Sequence, residues 1–146
     1  MTAIAFHFGA PDKLAYVCRL LRKAVASGAK VLVLAPAPLV TRLNADLWAL
    51  SATEFVPHCL GTAEPLIKER SAVVLASDIA HAPAQRQVLL NLDNGLPSQF
   101  GDYERVIEVV STDESDRNQA RTRWRAYTEQ GYAITRHDLT LRGAVA

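Results

Sequence analysis

Short apolar runs alternate with amphipathic helical repeats along this chain, and that order restricts the fold more than any other feature. An apolar run at residues 3–8 is followed by apolar residues that recur at helical spacing from Leu14 to Val25, and Gly28 can end that helix. The same alternation continues to a last strand-like run at 132–139. Chains ordered in this way fold with helices covering a mainly parallel sheet. We therefore predict an α/β fold with a mostly parallel sheet flanked by helices.

The apolar runs predict the strands, and the amphipathic repeats predict the helices between them. Predicted strands cover residues 3–8, 30–35, 72–76, 88–92, 105–110 and 132–139. Residues 55–60 form a short extended piece, which Pro57 assigns to a sheet edge or a loop. Helical spacing recurs from Val40 to Leu50, and a short helix is predicted at 96–102. The last helix is expected to begin at a capping box formed by Ser111 and Glu114.

Composition is ordinary for one globular domain. The chain has 146 residues, of which 49% are hydrophobic and 21% charged, which suits a single domain with a real core. No apolar run approaches the roughly 20 residues that cross a bilayer, and the first residues lack the basic start of an export signal. We expect a cytoplasmic protein without membrane contact, in which Cys18 and Cys59 are free thiols.

Basic residues are concentrated near the C-terminus. The formal net charge is +1, yet residues 117–125 hold four arginines and no acid, so the rest of the chain sums to −3. Three of these residues, Arg117, Arg121 and Arg125, are spaced i, i+4 and i+8, and Trp124 is their neighbour. On a helix this spacing places them in one basic stripe edged by an aromatic ring.

An acidic ligand suits that stripe, because guanidinium groups offer planar forks to carboxylate or phosphate oxygens. Nucleic-acid binders usually carry a basic excess over the whole domain, whereas the pI here is only about 7.8. The charge distribution therefore favours a short acidic peptide over a long polyanion. A solvated helix whose arginines only keep the domain soluble is the alternative without a binding function.

Motifs of the common enzyme classes are absent from the sequence. The turn after the first strand has one glycine, Gly9, where dinucleotide and P-loop motifs need several. The four histidines lack zinc-site spacing, and there is no Gly-x-Ser-x-Gly motif. We predict no catalytic residue, metal or cofactor. Asp78 and His81 follow a predicted strand, so a nucleotide-binding enzyme using the strand ends near Gly9 and Asp78 is the alternative function.

A second candidate surface surrounds Trp48. This residue and Phe55, Val56 and Pro57 lie close in sequence. With Trp48 on the exposed flank of its helix and Phe55 on an edge segment, the two rings would form a patch for a partner protein. The alternative is that both rings close the core.

Two segments resemble the chi subunit family of bacterial DNA polymerase III. That family has Leu-Trp-Ala followed by Phe-Val-Pro-His, and near its C-terminus Arg-x-Arg-Tyr-Lys-Ala-Tyr followed by Gly-Phe. The matching segments here are Leu47-Trp48-Ala49 with Phe55-Val56-Pro57-His58, and Arg121-Thr122-Arg123-Trp124-Arg125-Ala126-Tyr127 with Gly131-Tyr132. After His58 the chain departs from the family, with Cys59-Leu60-Gly61 in place of Asn-Leu-Ala-Gly.

The resemblance implies one Rossmann-like, three-layer domain over residues 1–146, acting as a non-catalytic accessory subunit associated with the clamp loader. It implies that the protein binds the acidic C-terminal tail of single-stranded DNA-binding protein, and so contacts single-stranded DNA only indirectly. The tail-binding residues carried over are Arg117, Arg121, Trp124, Arg125, Tyr127 and Val110. The resemblance further implies a surface for the psi subunit or an equivalent clamp-loader partner, with a helicase as another candidate for the same face. That surface comprises Trp48, Phe55, Val56, Pro57 and His58.

Overall fold

A computed structural model describes residues 2–50 and 56–139. Within these ranges the chain forms seven strands and four α-helices. The strands are β1 (Ala3–Ala10), β2 (Val31–Leu34), β3 (His58–Leu60), β4 (Val73–Ala76), β5 (Val88–Asn91), β6 (Arg105–Ser111) and β7 (Ile134–Asp138). The helices are α1 (Lys13–Ala26), α2 (Ala37–Trp48), α3 (Pro65–Arg70) and α4 (Glu114–Glu129). Short 3-10 turns occur at Ile79–His81 and Phe100–Asp102.

The strands form one sheet in the order β3-β4-β2-β5-β6-β1-β7, and every described pair is parallel. This arrangement confirms the predicted α/β class. Strands β2, β4 and β5 are buried along their whole length, because helices cover both faces of a parallel sheet. That burial explains why β2 and β4 are continuous apolar runs in the sequence and why β5 is apolar up to Asn91.

Two apolar clusters lie on opposite faces of the sheet. On one face, Val17 of α1 and Leu43 of α2 pack with strand residues such as Val33. On the other, Ala120 and Tyr127 of α4 pack with a second set of strand residues that includes Phe6. Successive strand residues alternate between the two clusters, as the pleat of a strand requires. Helix α4 therefore lies across the sheet from α1 and α2.

Some element boundaries differ from those predicted. Strand β1 continues through Gly9 to Ala10, because a register shift after His7 and the positive φ of Gly9 (80°) absorb an irregularity there. Helix α3 was not predicted, since its apolar residues Leu66 and Ile67 are exposed and give no amphipathic pattern. The short helix expected at 96–102 is reduced to a single 3-10 turn.

Candidate functional site

A basic groove runs between α4 and the edge of the sheet near β1 and β7. Its volume is ≈ 520 Å³. The residues that line it are Phe8, Arg117, Arg121, Trp124, Arg125 and Arg136. The structure thus brings together four of the residues predicted for tail binding: Arg117, Arg121, Trp124 and Arg125.

Aromatic rings form the floor of the basic groove. The Trp124 ring centroid lies 5.1 Å from that of Phe6 and 5.9 Å from that of Phe8. Phe6 is fully buried, whereas Phe8 and Trp124 are half-buried. Phe6 thereby supports the two rings from below, and Phe8 and Trp124 keep apolar surface open to the groove.

The arginines of the basic groove have free hydrogen-bonding capacity. All four are exposed, and no carboxylate within residues 2–50 and 56–139 forms an ion pair with any of them. Arg121 Nη1 donates one hydrogen bond to Asn118 Oδ1 at 2.7 Å, which leaves its remaining donors open. A ligand that supplies carboxylate oxygens would therefore find unused guanidinium forks over an apolar floor.

The start of α4 is fixed by contacts to β6 and α1. Asp113 caps the helix, since its side chain accepts a hydrogen bond from Asp116 N at 3.0 Å. The predicted capping box at Ser111 is therefore wrong: Ser111 Oγ accepts from Asp113 N, and Ser111 N donates to Asp116 Oδ2 at 2.8 Å. Lys13 Nζ pairs with the same Asp116 carboxylate at 3.1 Å. Burial alone would raise the pKa of Asp116, but the Ser111 hydrogen bond and Lys13 hold that pKa below its usual value.

A buried polar cluster fixes the middle of α4. Arg123 Nε donates to Glu108 Oε1 at 3.0 Å, and the Tyr127 hydroxyl donates to Glu108 Oε2 at 2.8 Å. Asn91 Nδ2 donates to the same Oε2 at 2.9 Å, and Arg123 Nη1 donates to Asn94 O at 3.1 Å. Glu108 is 0% exposed and Arg123 is 3% exposed. Arg123 therefore faces the sheet and is neutralised, so three of the four arginines in the 117–125 window reach the basic groove.

Protonation in this cluster follows from burial. Burial raises the pKa of Glu108, although the Arg123 guanidinium and the hydrogen bonds from Asn91 and Tyr127 act against the rise. Burial and the adjacent Glu108 carboxylate also raise the pKa of Tyr127, so its hydroxyl remains a donor. These contacts join α4 to β5 and β6 and set the orientation of the helix face that carries the groove arginines.

Two residues predicted for tail binding are not in direct reach of a ligand. Tyr127 and Val110 are both 0% exposed, and neither lines the basic groove. The Tyr127 ring packs against Phe6 and Phe100 at centroid distances of 5.9 and 5.0 Å. We therefore correct the prediction that Tyr127 and Val110 contact the tail. Both residues instead support the groove from within the core.

Phe8 and Arg136 are groove residues that sequence reasoning missed. Strand β7 pairs with β1, with Phe6 opposite Arg136 in register, and this pairing carries Arg136 to the groove. The Arg136 guanidinium carbon lies 4.9 Å from the centroid of the Phe8 ring. The alternation of Ile4, Phe6 and Phe8 on one face of β1 was the available signal for Phe8. No comparable signal existed for Arg136, because the strand order cannot be read from the sequence.

The second predicted surface is partly exposed. Trp48 is 61% exposed at the end of α2, and its ring centroid is 5.0 Å from that of His58. Pro57 is exposed, but Val56 is fully buried and His58 nearly so, with His58 Nδ1 donating to Val56 O at 2.6 Å. We therefore correct the prediction that Val56 and His58 contact a partner directly. Both residues instead support the patch from within. Phe55 lies outside the described residues.

The strand ends near Asp78 form a different kind of surface. Asp78 Oδ1 accepts a hydrogen bond from Ala80 N at 2.9 Å and caps the 3-10 turn that follows. The small groove beside it, ≈ 230 Å³, is lined by Asp78 and Asp93 and by no basic residue among those described, which disfavours a phosphate. No three potential metal ligands converge in the described ranges, and no described helix has the length and apolar character needed to cross a bilayer.

Known proteins share this sequence pattern over most of its length. The sequence model of the family described as DNA polymerase III chi subunit, HolC, matches residues 1–135. DNA polymerase III subunit chi of Pseudomonas aeruginosa is 31% identical over 129 residues, which cover 87% of each chain. DNA polymerase III subunit chi of Escherichia coli (strain K12) is 27% identical over 119 residues, covering 81% of this chain and 80% of that protein.

Proposed function

The chain belongs to the DNA polymerase III chi subunit family, and we propose that it links the replicative polymerase to single-stranded DNA-binding protein by holding that protein's acidic C-terminal tail. Membership of the family makes it a replication accessory subunit. The observation that carries the finer proposal is the basic groove, in which four exposed arginines surround two half-buried aromatic rings. Such a groove offers guanidinium groups to the carboxylates of a ligand and, at the same place, an apolar floor to one aromatic ring.

Each part of the tail has a defined partner in this proposal. Acidic side chains along the peptide pair with Arg117, Arg121 and Arg125, which repeat once per helical turn along α4. The terminal aromatic ring packs beside Trp124 on the apolar floor. Exposed ion pairs contribute about 0.2–1 kcal/mol each, so several pairs and one buried ring together give moderate affinity. Because exposed pairs are screened by salt, binding weakens as ionic strength rises.

The rest of the complex follows from the same proposal. The protein contributes no chemistry of its own, contacts single-stranded DNA through its partner, and acts in the cytoplasm where the chromosome is copied. Trp48 and Pro57 present a separate exposed surface at the other end of the sheet order. We propose that this patch docks the psi subunit or an equivalent clamp-loader partner, with a helicase as the other candidate.

Removing the final residue of the tail is expected to weaken binding. A peptide with the acidic tail sequence and a terminal Phe should bind in isothermal calorimetry, and the same peptide without that Phe should bind about tenfold more weakly or worse. The expected loss reflects the burial of one aromatic side chain, which contributes about 1.5–3 kcal/mol. A peptide of the same composition with the Phe in its middle is the matched control for charge. Equal affinity of all three peptides would contradict a site specific for the tail.

The Trp48 patch makes a separate prediction. Trp48→Ala should remove the psi subunit, or its equivalent, from material purified through a tag on this chain, because a large exposed aromatic side chain is the usual energetic centre of an interface. Tail-peptide affinity should stay within twofold of the wild type in the same variant. Arg125→Glu is the reciprocal control, since it should leave the psi partner bound. Retention of the partner by Trp48→Ala would exclude this patch as the interface.

A further inference from the structure

Arg136 faces the basic groove from the side opposite α4. Paired residues on neighbouring parallel strands project from the same face of a sheet, and Arg136 pairs with Phe6, whose ring lies in the α4-side core. The Arg136 side chain is exposed and its guanidinium carbon lies 4.9 Å from the Phe8 ring centroid. The groove therefore has three arginines on its helical wall and one on its strand wall, with the aromatic floor between them.

Contact with Phe8 distinguishes Arg136 from the other arginines. A guanidinium that rests over an aromatic ring is already oriented, so less conformational freedom is lost when its fork binds a carboxylate. Within residues 2–50 and 56–139, Arg136 has no ion pair and its guanidinium donates no side-chain hydrogen bond. Arg121, by comparison, already donates to Asn118.

The chemistry of a chain end restricts where its carboxylate can bind. In the last residue of a peptide, the side-chain ring and the terminal carboxylate are attached to the same Cα atom, so a ring on the apolar floor holds that carboxylate within a few bonds of the floor. Acidic side chains upstream are spread along the peptide and match Arg117, Arg121 and Arg125 along α4. Arg136 contacts the floor through Phe8. It is therefore the groove arginine left to bind the terminal carboxylate, which lies beside the ligand's aromatic ring.

We propose that Arg136 is the specificity-determining residue that binds the terminal carboxylate, so that the basic groove selects the end of an acidic chain over an internal acidic segment. This inference rests on the proposed function, since it assigns a binding residue to the terminal carboxylate of the same ligand. The helical arginines supply attraction to any acidic peptide, and Arg136 distinguishes a free chain end from a continued or blocked one.

Blocking the carboxylate tests the assignment. Two Phe-ended acidic peptides, one with a free C-terminal carboxylate and one with a C-terminal amide, would be titrated into the wild type, Arg136→Gln and Arg117→Gln. In the wild type the amide should bind about tenfold more weakly, as expected for loss of one charge-assisted hydrogen-bonded pair. In Arg136→Gln the two peptides should bind equally within about twofold. In Arg117→Gln, the matched control, both affinities should fall and the tenfold ratio should remain.

Each outcome has one meaning. A tenfold ratio that persists in Arg136→Gln would overturn the assignment while leaving the proposed tail binding intact. A wild type that binds neither peptide would overturn the proposed function and this inference together. Arg136→Lys keeps the charge without the planar fork, so it should show a ratio between those of the wild type and Arg136→Gln. Unchanged thermal unfolding of these variants would show that the fold is retained at this exposed position.

Discussion

Arg125→Glu is expected to reduce affinity for the acidic tail by about 100-fold or more, beyond the range that calorimetry detects for a moderate binder. The substitution removes one guanidinium from the helical wall of the basic groove and adds a carboxylate next to Trp124. The variant therefore loses an attractive pair and gains repulsion against the remaining acids of the peptide. Arg125 is exposed and makes no ion pair among the described residues, so the fold should be retained.

Arg42→Glu is the matched control for this charge reversal. Arg42 is also exposed and also lies on a helix, but α2 packs on the face of the sheet opposite α4. The same change in net charge should leave tail affinity within about twofold of the wild type at physiological salt, since charges that far apart are screened. Equal losses in Arg125→Glu and Arg42→Glu would mean that net charge, and not the groove, controls binding. Wild-type affinity of Arg125→Glu would remove this groove as the site.

Glu108→Ala is expected to lower the free energy of unfolding by about 3–5 kcal/mol, because it leaves the buried Arg123 guanidinium without its counter-charge. The Tyr127 hydroxyl and the Asn91 amide lose the same acceptor, which adds to the cost of unpaired buried donors. For a domain of this size the midpoint of thermal unfolding should fall by roughly 10 °C or more. Denaturant titration followed by circular dichroism measures the change.

Glu104→Ala is the control for loss of a carboxylate. Glu104 directly precedes β6 and is exposed, so its removal should change the free energy of unfolding by no more than about 0.5 kcal/mol. If Glu108→Ala unfolds as the wild type does, the buried cluster would not hold α4 in place. Tail binding should weaken in Glu108→Ala even under conditions where the variant is folded, because Arg123 and Tyr127 join the groove helix to the sheet.

Local sequence patterns predicted the features that depend on local structure. Continuous apolar runs correctly identified the buried strands β2 and β4, because a parallel sheet covered on both faces buries mostly apolar side chains. The i, i+4 and i+8 spacing of Arg117, Arg121 and Arg125 correctly placed these residues on one helical face. The helix cap was assigned wrongly because Ser111 and Asp113 both suit that role, and only the strand boundary at Ser111 decides between them.

Features that depend on tertiary contacts could not be predicted in the same way. Arg123 lies in the same basic window as the groove arginines, and its burial depends on a carboxylate from another element, 15 residues earlier in the chain. Glu108 was nevertheless a signal that reasoning from sequence missed, since it is a single acid inside an apolar strand and requires a buried partner. Arg136 reaches the groove because β7 pairs with β1, and this neighbour relation is not encoded in any local pattern.

Nuclear magnetic resonance of the two indole N–H groups tests the central claim most directly. The chain has two tryptophans: Trp124 on the floor of the basic groove and Trp48 at the end of α2. Titration with the Phe-ended acidic peptide should shift the Trp124 indole resonance in a saturable way and leave the Trp48 resonance, assigned from Trp48→Phe, unchanged. A saturable shift of Trp48 without one of Trp124, or no shift of either, would contradict tail binding in this groove.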